Sequence, residues 1–167
     1  NEILYTNINL VEQFNPLIKL DMEFKNDIRF LLEMKKDRAL SLSLDNNLLT
    51  ETTGMDYSIG FGYRVKDLKF RNNIGGRQSV SSGDLNIKAD LNYRDNITII
   101  RNLDILDNKV TAGQSVWSFK ISADYALSKS FNAVFFYDHL FSEFAISTAF
   151  PQTTIRSGLT LRYNFGD

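Results

Sequence analysis

His139, the single histidine of the chain, directly follows Asp138. An acid beside an imidazole is a pairing that hydrolases, outer-membrane proteases among them, use to activate water. Neighbours on an extended strand point to opposite faces, so these two could share a site only where the strand bulges. A solvated histidine near a loop end is the expectation. Asp84, Asp95, Asp104 and Asp107 offer carboxylates to a hard cation such as calcium, but none sits in a D-x-[DN]-x-[DN]-G spacing, so they are expected to be solvated loop groups. Gly75-Gly76, inside a glycine- and serine-containing stretch at 71–83, lacks the lysine and the strand-to-helix context of a phosphate loop. Asn96-Ile97-Thr98 fits a glycosylation sequon in form only, because it falls in an expected turn. The absence of cysteine removes disulfides, thiolate metal ligation and thiol catalysis together. The expectation is a non-enzyme that carries no cofactor and no metal.

The elements that hold these residues announce themselves by a two-residue period. In the terminal segment TTIRSGLTLRYNFGD, Ile155, Leu159, Leu161, Tyr163 and Phe165 share one face with Ser157, while Thr154, Arg156, Gly158, Thr160, Arg162 and Asn164 take the other. At roughly 3.3 Å per residue, the stretch from Thr153 to Phe165 reaches about 43 Å, enough to cross a hydrocarbon core of about 30 Å at a 45° tilt. The same alternation runs through Met55–Val65, Leu85–Tyr93 and Trp117–Leu127. It also runs in one parity from Ile18 to Leu44, longer than an ordinary strand. Either long strands project past a bilayer there, or a loop of odd length near Asn26-Asp27 or Lys36-Asp37 preserves parity across a hairpin.

Composition sets outer limits. The 167 residues fit one domain, and 19 basic against 20 acidic side chains leave a net charge of -1, which argues against nucleic acid as a partner. No apolar run approaches the length of about 18 residues needed for a spanning helix. The opening residues NEILYTNINL lack the basic-then-apolar pattern of a signal peptide, so an outer-membrane protein would be mature here or part of something larger.

The fold expected is all-β, with residues 1–167 forming a single segment of about eight to ten antiparallel transmembrane β-barrel strands. Tight turns are expected at Lys66-Asp67, Arg94-Asp95-Asn96 and Ser128-Lys129-Ser130, and longer links near 71–83, 104–113 and 141–152. Short periplasmic turns opposite longer extracellular loops are the organisation of an outer-membrane barrel. Tyr63, Tyr93 and Tyr125 each precede an expected turn, and with Tyr163 and Phe165 they would form an aromatic girdle at the periplasmic edge. Arg64, Lys88, Asp90, Arg94, Lys120, Asp124, Arg156 and Arg162 all fall opposite the apolar face. A lysine or arginine facing lipid at mid-depth costs about 2 to 4 kcal/mol, so these residues are expected to line a lumen of mixed sign. Two alternatives stay open: a self-contained small outer-membrane barrel serving structure or adhesion, and a soluble lipocalin-like carrier whose apolar face turns inward onto an apolar ligand.

The stretches YRVKDLKF (63–70), SGDLNIKADLNYRDNITIIRNLD (82–104), TAGQSVW (111–117) and above all FAISTAFPQTTIRSGLTLRYNFGD (144–167) resemble the C-terminal region of the SprA/Sov family, the outer-membrane translocon of the Bacteroidota type IX secretion system. EQFNPLI (12–18) and KKDRALSLSLDNNLLTE (35–51) are similar to it as well. The resemblance spans most of the chain. It implies a cell-surface location in the outer membrane of a Gram-negative bacterium, and a very large barrel of about thirty-six strands through which folded cargo proteins leave the periplasm. This chain would supply its closing strands. The implied partners are the remainder of that barrel, a PorV-like lateral-gate protein, a periplasmic plug protein, a peptidyl-prolyl isomerase subunit, secreted cargo and outer-membrane lipids. Family members are more than ten times this length, so the resemblance makes the chain a section of such a protein. No catalytic residue carries over.

Overall fold

The computed structural model describes residues 6–74, 77–128, 130–146 and 149–165. They form one antiparallel sheet of seven strands in simple sequence order. The strands are β1 (Asn7–Phe24), β2 (Ile28–Ser43), β3 (Leu48–Ile74), β4 (Arg77–Asn102), β5 (Asp107–Ser128), β6 (Phe131–Phe144) and β7 (Gln152–Tyr163). Every neighbour pair is joined by a hairpin, the connection that two-residue periodicity and short polar links favour. Seven is fewer than the eight to ten strands expected, because several polar breaks in the pattern lie inside strands.

The long parity run from Ile18 to Leu44 is a hairpin. Phe24 pairs with Ile28 across the three-residue turn Lys25-Asn26-Asp27, and a loop of odd length keeps even-numbered residues on one face of both strands. Asp27 takes a left-handed φ of 57°, a conformation aspartate tolerates better than most residues. Lys36-Asp37, the other candidate turn, lies within β2.

Two expected turns are corrected. At Lys66-Asp67 the register slips by one residue between Val65↔Leu85 and Leu68↔Gly83, which makes it a β-bulge in a strand that continues to Ile74. Asp67 has φ 53° and its amide donates to Asp84 Oδ1 at 3.2 Å. Gly83 faces the bulge region so closely to the Ala126 carbonyl that any Cβ would collide with it, which fixes glycine there. Arg94-Asp95-Asn96, and with it the Asn96-Ile97-Thr98 sequon, sits mid-strand in β4, where Asp95 pairs with Met55 and Ser115. The link expected at 71–83 is mostly the far part of the β3–β4 hairpin, with Gly75-Gly76 outside the described residues. Of the link expected at 104–113, β5 claims everything from Asp107, and that at 141–152 shortens to 145–151.

Among the described residues no second layer of structure covers either face. Tyr125 is the one buried hydrophobic side chain among the described residues, and large apolar groups such as Ile59, Phe61, Trp117, Leu159 and Leu161 stand exposed. A soluble sheet this wide buries one face against another layer. Here the sheet is a single curtain. Among the described residues no helix is long and apolar enough to cross a membrane, which says nothing about crossing by strands.

Candidate functional site

Reading the ladders sideways gives the geometry of each face. On the polar face, Asp21, Leu31, Gly60, Asp90, Lys120, Asp138 and Arg156 form one row across all seven strands. Its last four members alternate in sign on adjacent strands, an arrangement in which directly opposite charges attract. Arg156 closes on Asp138 at 3.1 Å. Elsewhere on this face Arg29 grips Asp21 with two hydrogen bonds of 3.0 and 2.7 Å, Lys35 reaches Glu33 at 2.8 Å, and Arg64 reaches Asp84 at 2.5 Å.

All eight residues expected to line a lumen fall on this one face. Arg64 pairs across to Asn86, Lys88 to Gly62 and Ser122, Arg94 to Asp56 and Val116, Asp124 to Asn86 and Val134, and Arg162 to Asn132. Asp90, Lys120 and Arg156 belong to the row above. Asp138 was not among the expected lumen residues, although its even parity within β6 carries the signal. The signal was masked because its same-face neighbours Val134, Phe136 and Leu140 are apolar.

The opposite face is bare of charge over a broad band. Four successive rows on this side, from Ile18–Met34–Tyr57–Tyr93–Trp117–Phe141–Thr153 to Phe24–Ile28–Tyr63–Ile87–Ala123–Phe135–Leu159, contain no lysine, arginine, aspartate or glutamate. Charge returns on this face one row beyond, with Lys36, Asp95 and Glu143. On β6 the band runs from Phe131 to Phe141, roughly 33 Å at 3.3 Å per residue, or about 25 Å high at a barrel tilt near 40°.

The five residues expected to form an aromatic girdle do not all lie toward one edge of the band. Tyr63, Tyr125 and Tyr163 lie toward the β1–β2 turn end, with Tyr163 against Phe165 (ring centroids 4.6 Å) and Phe131 (6.3 Å). Tyr93 belongs to the other edge of the band, where it stands 6.3 Å from Tyr57 and 4.3 Å from Trp117. The difference arises because β4 continues through Arg94-Asp95-Asn96, where a turn is expected. The Tyr57–Tyr93–Trp117–Phe141 row is thus a second aromatic border, and its signal was aromatic residues at matching depth on strands of opposite direction.

Asp138 and His139 face opposite sides, as the alternation requires: Asp138 pairs with Lys120 and Arg156, His139 with Phe119 and Ile155. His139 Nδ1 lies 3.4 Å from the Tyr137 hydroxyl. Of the loop carboxylates, Asp104 accepts from Asn47 Nδ2 at 2.9 Å, tying two hairpin ends together, and no cluster of metal-ligating groups occurs among the described residues.

One charged cluster escaped the sequence reading. Glu51 stands on the apolar side of β3 but beyond the charge-free band, held by Arg38 at 2.7 Å and Arg101 at 2.6 Å, with Glu12 3.9 Å from Arg38. The Arg101 hydrogen bond first, and Arg38 after it, hold the Glu51 carboxyl below its ordinary range. No known family model and no curated protein matches the chain.

Proposed function

We propose that this sheet is a section of outer-membrane β-barrel wall, with the charge-free face against lipid and the charged face toward an aqueous lumen. The observation that carries the reading is the two-sidedness of a single layer: seven strands bear a common charge-free band bordered on one edge by an aromatic row, and at the depth of that band the ion pairs among the described residues lie on the opposite face. Turning the sheet around would place Lys88, Lys120, Arg156 and Arg162 in hydrocarbon at about 2 to 4 kcal/mol each near mid-depth. A recess of about 650 Å³ lined by Lys35, Asp56, Arg94 and mostly polar neighbours opens on the charged face, whereas one of about 320 Å³ on the other face is lined by Leu91, Trp117, Phe119, His139 and Phe141.

Strand parity supports a wall larger than this chain. In a meander of seven strands, β1 and β7 run in the same direction. Antiparallel closure therefore needs an odd number of further strands, and an open edge in lipid leaves backbone groups unsatisfied. We infer that the wall belongs to a protein-conducting translocon of the type IX secretion class, on the wording of the 144–167 segment and its resemblance to the SprA/Sov family. The activity is transport, not catalysis. Lateral-gate, plug and isomerase subunits of the kind that family employs are the proposed companions, and balanced charge on the wall suits bulky cargo of either sign.

Cysteine labelling tests the orientation in a chain that has none of its own. Cysteines at Lys120 or Arg156 are expected to react with a membrane-impermeant thiol reagent admitted to the pore, and cysteines at Ile121 or Leu159 to stay protected. The reverse pattern overturns the proposal. The length of the native polypeptide separates the translocon from a small barrel, and purification without detergent would move the protein to the soluble-carrier class.

A further inference from the structure

Along β3 the polar face carries mostly small residues: Gly54, Ser58, Gly60 and Gly62 are turned to it together with Asp56, and the carboxylates of Asp37 and Asp90 lean over Gly54 and Gly60. Four recesses of about 240, 260, 650 and 410 Å³ follow this column, and each shares residues with the next: Gly60 and Asp90, then Ser58 and Asn92, then Lys35, Asp56 and Arg94. They are one groove. Its floor is β3, and its walls are the side chains of β2 and β4, about 9 to 10 Å apart at the usual spacing of neighbouring strands. That width takes one extended chain.

The β4 wall carries charge that closes no ion pair among the described residues, although Asp90 stands opposite Lys120 and Arg94 opposite Asp56. Lys88, Asp90 and Arg94 make no ion pair among the described residues, whereas Arg29, Glu33 and Lys35 on the β2 wall are paired. The three unpaired groups recur at multiples of two residues, a step of about 6.6 Å. The same step separates alternate side chains of an extended polypeptide, so a chain lying parallel to β3 keeps register with them from end to end. An oligosaccharide repeat has no reason to.

We propose that this groove is a docking track for an extended polypeptide segment, one that presents acid, base and acid toward Lys88, Asp90 and Arg94 at positions one, three and seven. The track requires only that the polar face meet water, so it stands or falls separately from the translocon assignment.

Single-cysteine capture tests it. Ser58 lies in the row of Asn92, opposite position five of such a segment. The probes are the peptide Glu-Ser-Lys-Ser-Cys-Ser-Glu, with its cysteine activated as a pyridyl disulfide, and its charge-reversed form Lys-Ser-Glu-Ser-Cys-Ser-Lys. The thiolate of the Ser58→Cys protein attacks the peptide sulfur and releases pyridine-2-thione, whose absorbance gives the rate. Capture of the first probe is expected to be faster than that of the second by about threefold to tenfold, as a few exposed charge pairs allow. The ratio should fall to about one in about 1 M salt, where the screening length is about 3 Å. It should invert when Lys88→Glu, Asp90→Lys and Arg94→Glu are combined.

Equal rates at low salt, a ratio unchanged by that reversal, or slowing by maltoheptaose would each overturn the proposal. Gly62→Leu is the blocking variant, since a Cβ at Gly62 meets Arg29 Cβ at an ordinary 3.6 Å. It should abolish the difference between probes, and a difference that persists in it counts against the groove.

Discussion

At the scale of single residues, the alternation of side chains turns one position into a choice of solvent. Ile121 and Ser122 are neighbours on β5, yet Ile121 stands in the charge-free band and Ser122 beside Lys88. If the band meets lipid, Ile121→Arg costs about 2 to 4 kcal/mol of stability in bilayers and Ser122→Arg little, measured by unfolding in lipid vesicles. Equal effects would count against the orientation. Glu51 makes a different prediction, because it lies beyond the band, where water reaches it. Its carboxyl is held below the ordinary value of 4.5, so the stability it adds is fully present above that value and is lost as the pH falls through the lowered one. Glu51→Gln is expected to cost about 1 kcal/mol or less at neutral pH. The difference from the parent should shrink on acidification below 4.5, and a difference independent of pH would show that the two arginines do not act through charge. Such a cluster was illegible in the sequence, because Arg38, Glu51 and Arg101 come from three strands and only their register brings them together.

At the scale of elements, polar and turn-forming residues were read as ends of strands, and the structure keeps some as turns and absorbs others. Lys25-Asn26-Asp27 reverses the chain, whereas Lys66-Asp67, with the same left-handed aspartate, only bulges it. A left-handed residue is compatible with both outcomes, and the decision falls to whether the partner strand continues to pair. Arg94-Asp95-Asn96 is polar because β4 leaves the apolar band there, and leaving the band looks in sequence like leaving the strand. The pairing of β6 with β7 rests on a close fit of another kind: Phe136 Cε1 and Cζ lie 2.8 Å from where a Cβ on Gly158 would stand. Gly158→Val should therefore destabilise by about 1 to 3 kcal/mol through overpacking. Adding Phe136→Ala should recover part of that loss in a double-mutant cycle, while strict additivity would show that the ring does not set the need for glycine.

At the scale of the whole molecule, odd strand number governs behaviour. The 167-residue chain on its own is expected to give no compact, heat-modifiable band on an unheated gel, because its two edges cannot join antiparallel; a discrete fast-migrating band would argue for a self-closing barrel. The sequence by itself determined that the fold is all-β, which residues share a face along a strand and that an apolar face stands opposite a charged one. These follow from a two-residue period that needs no knowledge of the partner strand. Only the tertiary structure decided the number of strands, the edge of the band to which Tyr93 belongs, the Glu51 cluster and the continuous groove along β3. Each of those depends on register between strands far apart in the chain, and register is fixed by which ladder forms rather than by any single segment.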